Sequence, residues 1–242
     1  MRTHLLLLPV ALLAASASAH AIDVSHRTTG DKQSAQNTQM AWRYRTLAAG
    51  LDVFEREALA LAPQATLAFA LPKPDGAEGE NKVVLERPGD PIALPMVGLA
   101  SFAMVRDQKA LESDARVVTN RQFRPGVVNH PNVQVRSPSL AADTRRLGDL
   151  RLACEVQMAM ARTESTGLRA MLAAVSLFKG TLCGAVKVTH IDAPAGAFES
   201  IVIDDGKRRV VQKTSGPDGA TVTLGDAIWG HDTRIQFMPA GQ

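Results

Sequence analysis

Between Gln33 and Leu61 apolar side chains recur at Met40, Tyr44, Leu47, Leu51, Phe54, Ala58 and Leu61, alternating spacings of four and three that predict an amphipathic helix ended by Pro63. Arg43, Asp52, Glu55 and Arg56 fall off the stripe, so one face is expected to be buried and the other solvated. The stripe also suits a coiled-coil seam. With Gly50 inside and Ala and Tyr at seam positions it makes a poor zipper, which favours packing on the chain's own domain.

From Ala65 to Val135 the period shortens. Leu67–Leu71 alternates large and small residues, and Lys82–Glu86, Ser101–Val105 and Arg116–Thr119 are short apolar runs separated by turn signals. Pro72, Pro74, Gly76 and Gly79 bracket an acidic loop, and Pro88-Gly89-Asp90-Pro91 and Pro95 break the chain again before Ser101. Short antiparallel strands are expected.

Leu150 to Met160 fits both periods, because Leu150, Leu152, Cys154, Val156, Met158 and Met160 alternate while Leu147, Leu150, Cys154, Met158 and Ala161 form a helical stripe. Strong helix formers dominate and β-branched residues are scarce, which tips the reading to helix. A second helix is predicted over Gly167–Lys179, with Gly180 as its stop. Beyond it Ala185–Ile191, Phe198–Ile203, Lys207–Lys213, Thr221–Leu224 and Thr233–Phe237 read as strands. Asp205-Gly206 marks a hairpin, Ser215–Gly219 marks the next turn, and an antiparallel meander is expected. No internal repeat of fixed period is visible, which leaves open whether the two β-rich regions are similar modules.

The expected fold class is α+β: antiparallel β-rich modules, sandwich-like or meander, packed with a few helices and carrying one disulfide. The expected division is a signal peptide over 1–19, an amphipathic helical segment over 20–63, a β-rich module over 64–140 and a C-terminal α+β module over 141–242.

The N-terminus changes the picture of where this domain works. Arg2 precedes the apolar run Leu5–Ala15, and Ser16-Ala17-Ser18-Ala19 follows, the pattern of a cleavable secretory signal with cleavage after Ala19 or Ala21. The run is too short to span a bilayer, and no later segment approaches the roughly 20 apolar residues a span needs. No early cysteine offers a lipid anchor and no twin-Arg pair stands at the start. The mature chain is therefore expected to be soluble and periplasmic or extracellular. In an oxidising compartment the two cysteines, Cys154 and Cys183, are expected to pair.

Charge narrows the partners. Removing Arg2 from 27 Lys and Arg against 24 acids leaves a net of +2, too little concentrated excess for a nucleic-acid binder. Basicity is local: Arg116, Arg121, Arg124, Arg136, Arg145, Arg146 and Arg151 face only Asp143 and Asp149 within their stretch. Guanidinium forks suit phosphate or carboxylate, so an anionic envelope component is one candidate partner and another envelope protein is a second. Scattered arginines paired with acids elsewhere in the fold are the plainer alternative. Oligomeric state is not legible.

The familiar catalytic signatures are missing, including G-x-S-x-G, H-E-x-x-H, the P-loop and C-x-x-C, and no cofactor or metal is expected. The remaining candidates are His190-Ile191-Asp192 and His231-Asp232, whose imidazoles and carboxylates beside loops suit proton transfer or a divalent metal. His190 and Asp192 share a strand face, and His231 approaches them only if its strand neighbours theirs. Asp204-Asp205-Gly206 lacks the further oxygen ligands of a calcium loop and is followed by Lys207, Arg208 and Arg209, so a hairpin turn explains it. The expected role is a non-enzymatic binding or structural accessory. A small metal- or water-dependent hydrolase built on the two His–Asp pairs is the alternative.

Overall fold

Trp42 shows where the first helix begins. The computed structural model describes residues 38–72, 79–123, 131–164, 183, 189–192, 198–214 and 219–240. Within it Thr38–Arg43 is a strand, β1, and only Tyr44–Leu61 is helical, as α1. The helix predicted from Gln33 is thus corrected over Thr38–Arg43, and residues 33–37 lie outside the described ones. In a continuous helix Trp42 would sit off the apolar stripe. On β1 its ring is buried at 4% exposure and stacks on Phe102 with centroids 6.0 Å apart. Burial of so large an aromatic surface, together with ladder pairing to β7 (Arg116–Phe123), outweighs the helical period. The predicted signal segment 1–19, the predicted acidic loop over 73–78, Arg124, the helix predicted over Gly167–Lys179 and the predicted turn over 215–218 lie outside the described residues.

The strand-to-helix junction contains no loop and no side-chain cap. Instead the Tyr44 amide donates to the carbonyl of Ala115, the residue before β7, at 2.9 Å. The same device recurs later in the chain. There β9 (Thr144–Arg146) runs directly into α3 (Leu147–Glu164), and the Leu147 amide donates at 2.9 Å to Thr233, the residue before β14 (Arg234–Pro239).

This recurrence extends to the whole topology. In the first half α1 is followed by β2 (Thr66–Ala70), β3 (Val83–Glu86), β4 (Ile92–Ala93), β5 (Met96–Val97), β6 (Ser101–Phe102), the short α2 (Gln108–Leu111), β7 and β8 (Asn132–Arg136). In the second half α3 is followed by β10 (Thr189–Asp192), β11 (Phe198–Asp204), β12 (Arg209–Lys213), β13 (Gly219–Val222) and β14. One sheet of each half has the same order, β1-β7-β3-β4 and β9-β14-β11-β12. The remaining strands also correspond, with β2 on β6 in one half and β10 on β13 in the other; β5 and β8 extend the former to a four-stranded sheet.

Register makes the correspondence residue-specific. Arg43 stands opposite Arg116, which stands opposite Glu86; Arg146 stands opposite Arg234, which stands opposite Asp204. The segments leading into β7 and β14 carry the same pattern of acid, small residue, Arg, aliphatic: Asp114-Ala115-Arg116-Val117 and Asp232-Thr233-Arg234-Ile235. The chain therefore carries two copies of one strand–helix–strand plan. No fixed period reveals it because the links differ: residues 62–65 join α1 to β2, whereas 165–188 lie between α3 and β10.

The two helices pack against each other. Gly50 of α1 permits the approach, since a Cβ there would meet Met160 Cγ of α3 at 3.0 Å. The apolar stripe of α1 is consequently covered within the chain, with Tyr44 and Leu47 buried. One core holds Trp42, Leu47, Phe69 and Phe102 together with Leu152, Val156 and Met160 of α3, and a second holds Ile201, Ile235, Phe237 and Trp229 with Leu147 of α3. Because α3 feeds both cores, it is the element that joins the halves. That double burial explains why its sequence satisfies two periods at once.

Of the predicted strand 101–105 only Ser101–Phe102 pairs. Beyond it the Ala103 amide bonds Pro95, and the Val105 carbonyl accepts from the Tyr44 hydroxyl at 2.9 Å. In the C-terminal part the Asp205-Gly206 hairpin forms, with Gly206 at φ 83° as its turn requires. β13 crosses to β10 before β14 returns beside β11. Cys154 and Cys183 are bonded, tying α3 to the segment ahead of β10. No helix among the described residues is long and apolar enough to cross a membrane.

Candidate functional site

His231 and Asp232 turn away from each other chemically. The Asp232 carboxylate accepts from Arg146 Nε and NH2 at 3.1 and 2.6 Å, which holds it below the usual carboxylate range. His231 Nδ1 lies 3.1 Å from Arg151 NH1. A guanidinium can only donate, so Nδ1 accepts and Nε2 carries the hydrogen of the neutral ring. Burial, and then the charges of Arg151 and Arg146, hold the imidazole pKa below its ordinary value. His231 thus presents a donor at the rim of a cleft of about 570 Å³ that also involves Trp229, Arg151 and Leu61.

His190 and Asp192 lie on β10, opposite Thr221 and Gly219 of β13, and their side chains lie outside the described residues. The strand after His231 is β14, which pairs with β11 and β9, so the two His–Asp pairs belong to different ladders. Among the described residues no group of three or more His, Cys, Asp and Glu is placed to hold a metal ion.

The arginine stretch is dispersed through the fold, and most of its members bond main-chain carbonyls. Arg136 donates to Ala141 at 2.8 Å, and Arg145 to Ala142 at 2.8 Å with its guanidinium 6.0 Å from the Phe237 ring centre. Arg146 NH1 donates at 2.8 Å to the Leu61 carbonyl, supplying positive charge where α1 ends. Arg151 bonds the carbonyls of Leu224, Asp226 and Trp229 at 2.8–3.1 Å and so pins the connection leading to His231. Arg121 is buried, donating to Asn81 Oδ1 at 3.0 Å and to the Gly79 carbonyl. Arg116 lies 3.7 Å from Asp114.

A different pair of arginines faces open space. Val202 of β11 stands opposite Val211 and Gln236, and Gln236 stands opposite Thr144. The neighbouring row is Arg209–Asp204–Arg234. Strand alternation puts both rows on the face turned away from Ile201, Ile203 and Ile235, where all their members except Val211 floor a cleft of about 660 Å³ walled by Ser139, Leu140 and the Asp204–Gly206 turn.

Each acid of this cleft already accepts at least one hydrogen bond. Asp204 Oδ1 accepts from the Gly206 amide at 2.7 Å, and Asp232 is held by Arg146. Asp205 Oδ1 accepts from the amides of Lys207 and Arg208 at 2.8 and 2.6 Å, which lowers its pKa. Arg209 and Arg234 make no ion pair or side-chain hydrogen bond among the described residues, which leaves two donor forks on either side of Asp204. Neither belongs to the arginine stretch that charge density singles out. Two signals in the sequence point to them: the turn that opens on Asp205-Gly206, closed as the four-residue loop Asp205–Arg208, sets Arg209 opposite Asp204, and the repeated acid–x–Arg pattern sets Arg234 at a strand start.

The fold and site define a duplicated α+β protein with an open, arginine-bearing sheet face. No protein-family model, curated protein or solved structure matches the chain.

Proposed function

We propose that this chain is an exported, non-enzymatic binding accessory of the periplasm or extracellular space, holding an anionic group of an envelope component on the outer face of the β11–β14 sheet. The observation that carries this reading is that Arg209 and Arg234, without a side-chain partner among the described residues, flank an acid whose Oδ1 is engaged by its own turn. Bidentate guanidinium donation suits phosphate and carboxylate alike, and the apolar Val202, next to Asp204's row, gives a ligand's carbon skeleton a floor. His231, with its acceptor nitrogen engaged by Arg151, is poorly set to act as a base, which weighs against the hydrolase alternative.

Calorimetric titration with inorganic phosphate and with a polyuronate separates the two anion chemistries. Binding of at least one is expected, falling about tenfold in Arg234→Ala, the loss of roughly one charge-assisted hydrogen bond. Arg145→Ala, whose guanidinium serves the Ala142 carbonyl, is expected to leave binding unchanged. Equal affinity in wild type and Arg234→Ala, or no binding of either probe, rejects the site.

Export has its own readout. The pattern over Leu5–Ala19 leads us to expect intact masses of the exported protein starting at His20 or Ile22. A folded extracellular sample still carrying Met1–Ala19 overturns it.

A further inference from the structure

The duplicated plan supplies an internal comparison that no single module offers. In the β1-β7-β3-β4 sheet the terminal strand is β4, only Ile92–Ala93, enclosed by Pro91 and Pro95. Proline has no amide to donate, so that edge is closed to a further strand. The equivalent edge of the other sheet is β12, Arg209–Lys213, five residues without proline. Among the described residues β12 pairs with β11 alone. Val210 and Val211 are 46% and 65% exposed on it.

The hydrogen-bond phase identifies which groups of β12 are free. The Asp205 amide bonds the Arg208 carbonyl and the Thr214 amide bonds the Glu199 carbonyl, so 205/208 and 199/214 are hydrogen-bonded pairs. Antiparallel alternation then makes 203/210 and 201/212 bonded pairs, and it turns the amides and carbonyls of Arg209, Val211 and Lys213 outward. The strand is firmly held as a template. Gln212 Nε2 donates to the Thr221 carbonyl at 2.9 Å and Thr214 Oγ1 to Phe198 at 3.1 Å.

Charge selects the occupant. A second copy pairing antiparallel and two-fold about Val211 would set Arg209 opposite Lys213 twice, and like charges directly opposite destabilise a ladder. Edge cations of this kind guard against self-pairing. An extended segment with carboxylates four residues apart would meet Arg209 and Lys213 favourably while its middle covers Val211. We infer that β12 is a strand-docking edge for an extended peptide segment of another protein, acidic at positions four apart and apolar between them. This is recognition by strand addition, in which main-chain bonds supply affinity and end charges supply selectivity.

The probe is a fluorescein-labelled, N-acetylated peptide of sequence Glu-Thr-Val-Thr-Glu-Val-Thr, whose first Val shares the face of the two Glu; the control replaces both Glu by Lys. Saturable binding of the acidic peptide is expected, with slowed hydrogen exchange at the amides of Val211 and Lys213. Val211→Pro removes one outward amide and spares the bonds to β11, and is expected to weaken binding at least tenfold. Lys213→Glu leaves the backbone intact, so it decides the matter should the proline variant not fold; it leaves each peptide one attractive and one repulsive pair and is expected to abolish the preference between them.

Unchanged binding in Val211→Pro, equal affinity for both peptides in the wild type, or no binding at all overturns the inference. Sedimentation as a dimer that Lys213→Glu alters makes the occupant a second copy and overturns it as well. Failure here is distinguishable from failure of the anion site, since Val211→Pro retains phosphate or polyuronate binding and Arg234→Ala retains peptide binding.

Discussion

Reducing the Cys154–Cys183 bond is expected to lower unfolding free energy by about 3.5 kcal/mol and the melting temperature by roughly 10 °C. The sequence separation is 29 residues, and closing a loop of that length in the unfolded chain removes entropy that the reduced chain regains. Position adds to the effect. Cys154 sits on α3 against the second core, and Cys183 is buried at 2% exposure. Since α3 carries residues of both cores, loosening it affects both halves. Melting curves of oxidised and fully reduced protein, paired with non-reducing peptide mapping, provide the check. An unchanged midpoint after confirmed reduction would show that the bond contributes nothing to stability.

Replacing Asp149 by Ala is expected to cost about 3 kcal/mol, comparable to losing the disulfide. Asp149 lies in the first turn of α3 at 2% exposure, where the helix dipole favours a negative charge. Its Oδ2 accepts from the Ser137 amide and its Oδ1 from the Ser137 hydroxyl, both at 2.7 Å, while Arg146 NH1 lies 3.6 Å from Oδ1. Alanine would leave a polar amide beside an empty volume and deprive the half-buried Arg146 of one of its two acids. Asp149→Asn keeps the shape and one acceptor, so about half the loss is expected. Urea midpoints of the two variants give the test, and an Asp149→Ala midpoint equal to wild type would disprove the assigned role. No local pattern marks this residue: in the sequence it is one acid in a basic stretch.

Arg146 shows why the arginine stretch misleads when read linearly. Its guanidinium reaches Leu61, Asp149 and Asp232, positions scattered along the chain. Arg136, Arg145 and Arg151 likewise serve carbonyls of nearby connections, so a run dense in charge becomes a set of internal donors. Arg209 and Arg234, unremarkable in composition, acquire meaning only from the ladder that sets both beside Asp204.

The part of this fold legible in sequence rests on short-range physics. The strands β2, β3, β11, β12 and β14, the Asp205-Gly206 hairpin and the C-terminal limit of α1 all arise from side-chain period, turn chemistry and proline, which act over a few residues. The disulfide comes from a count of two. Tertiary structure decided the rest. It converted residues 38–43 from helix to strand by burying Trp42, gave α3 two cores to serve, and exposed a duplication that unequal connections conceal. It also left one sheet edge closed by prolines and the matching edge without a further strand among the described residues. Those outcomes depend on which distant residues become neighbours, and pairing energy between strands carries no trace in a local window of sequence.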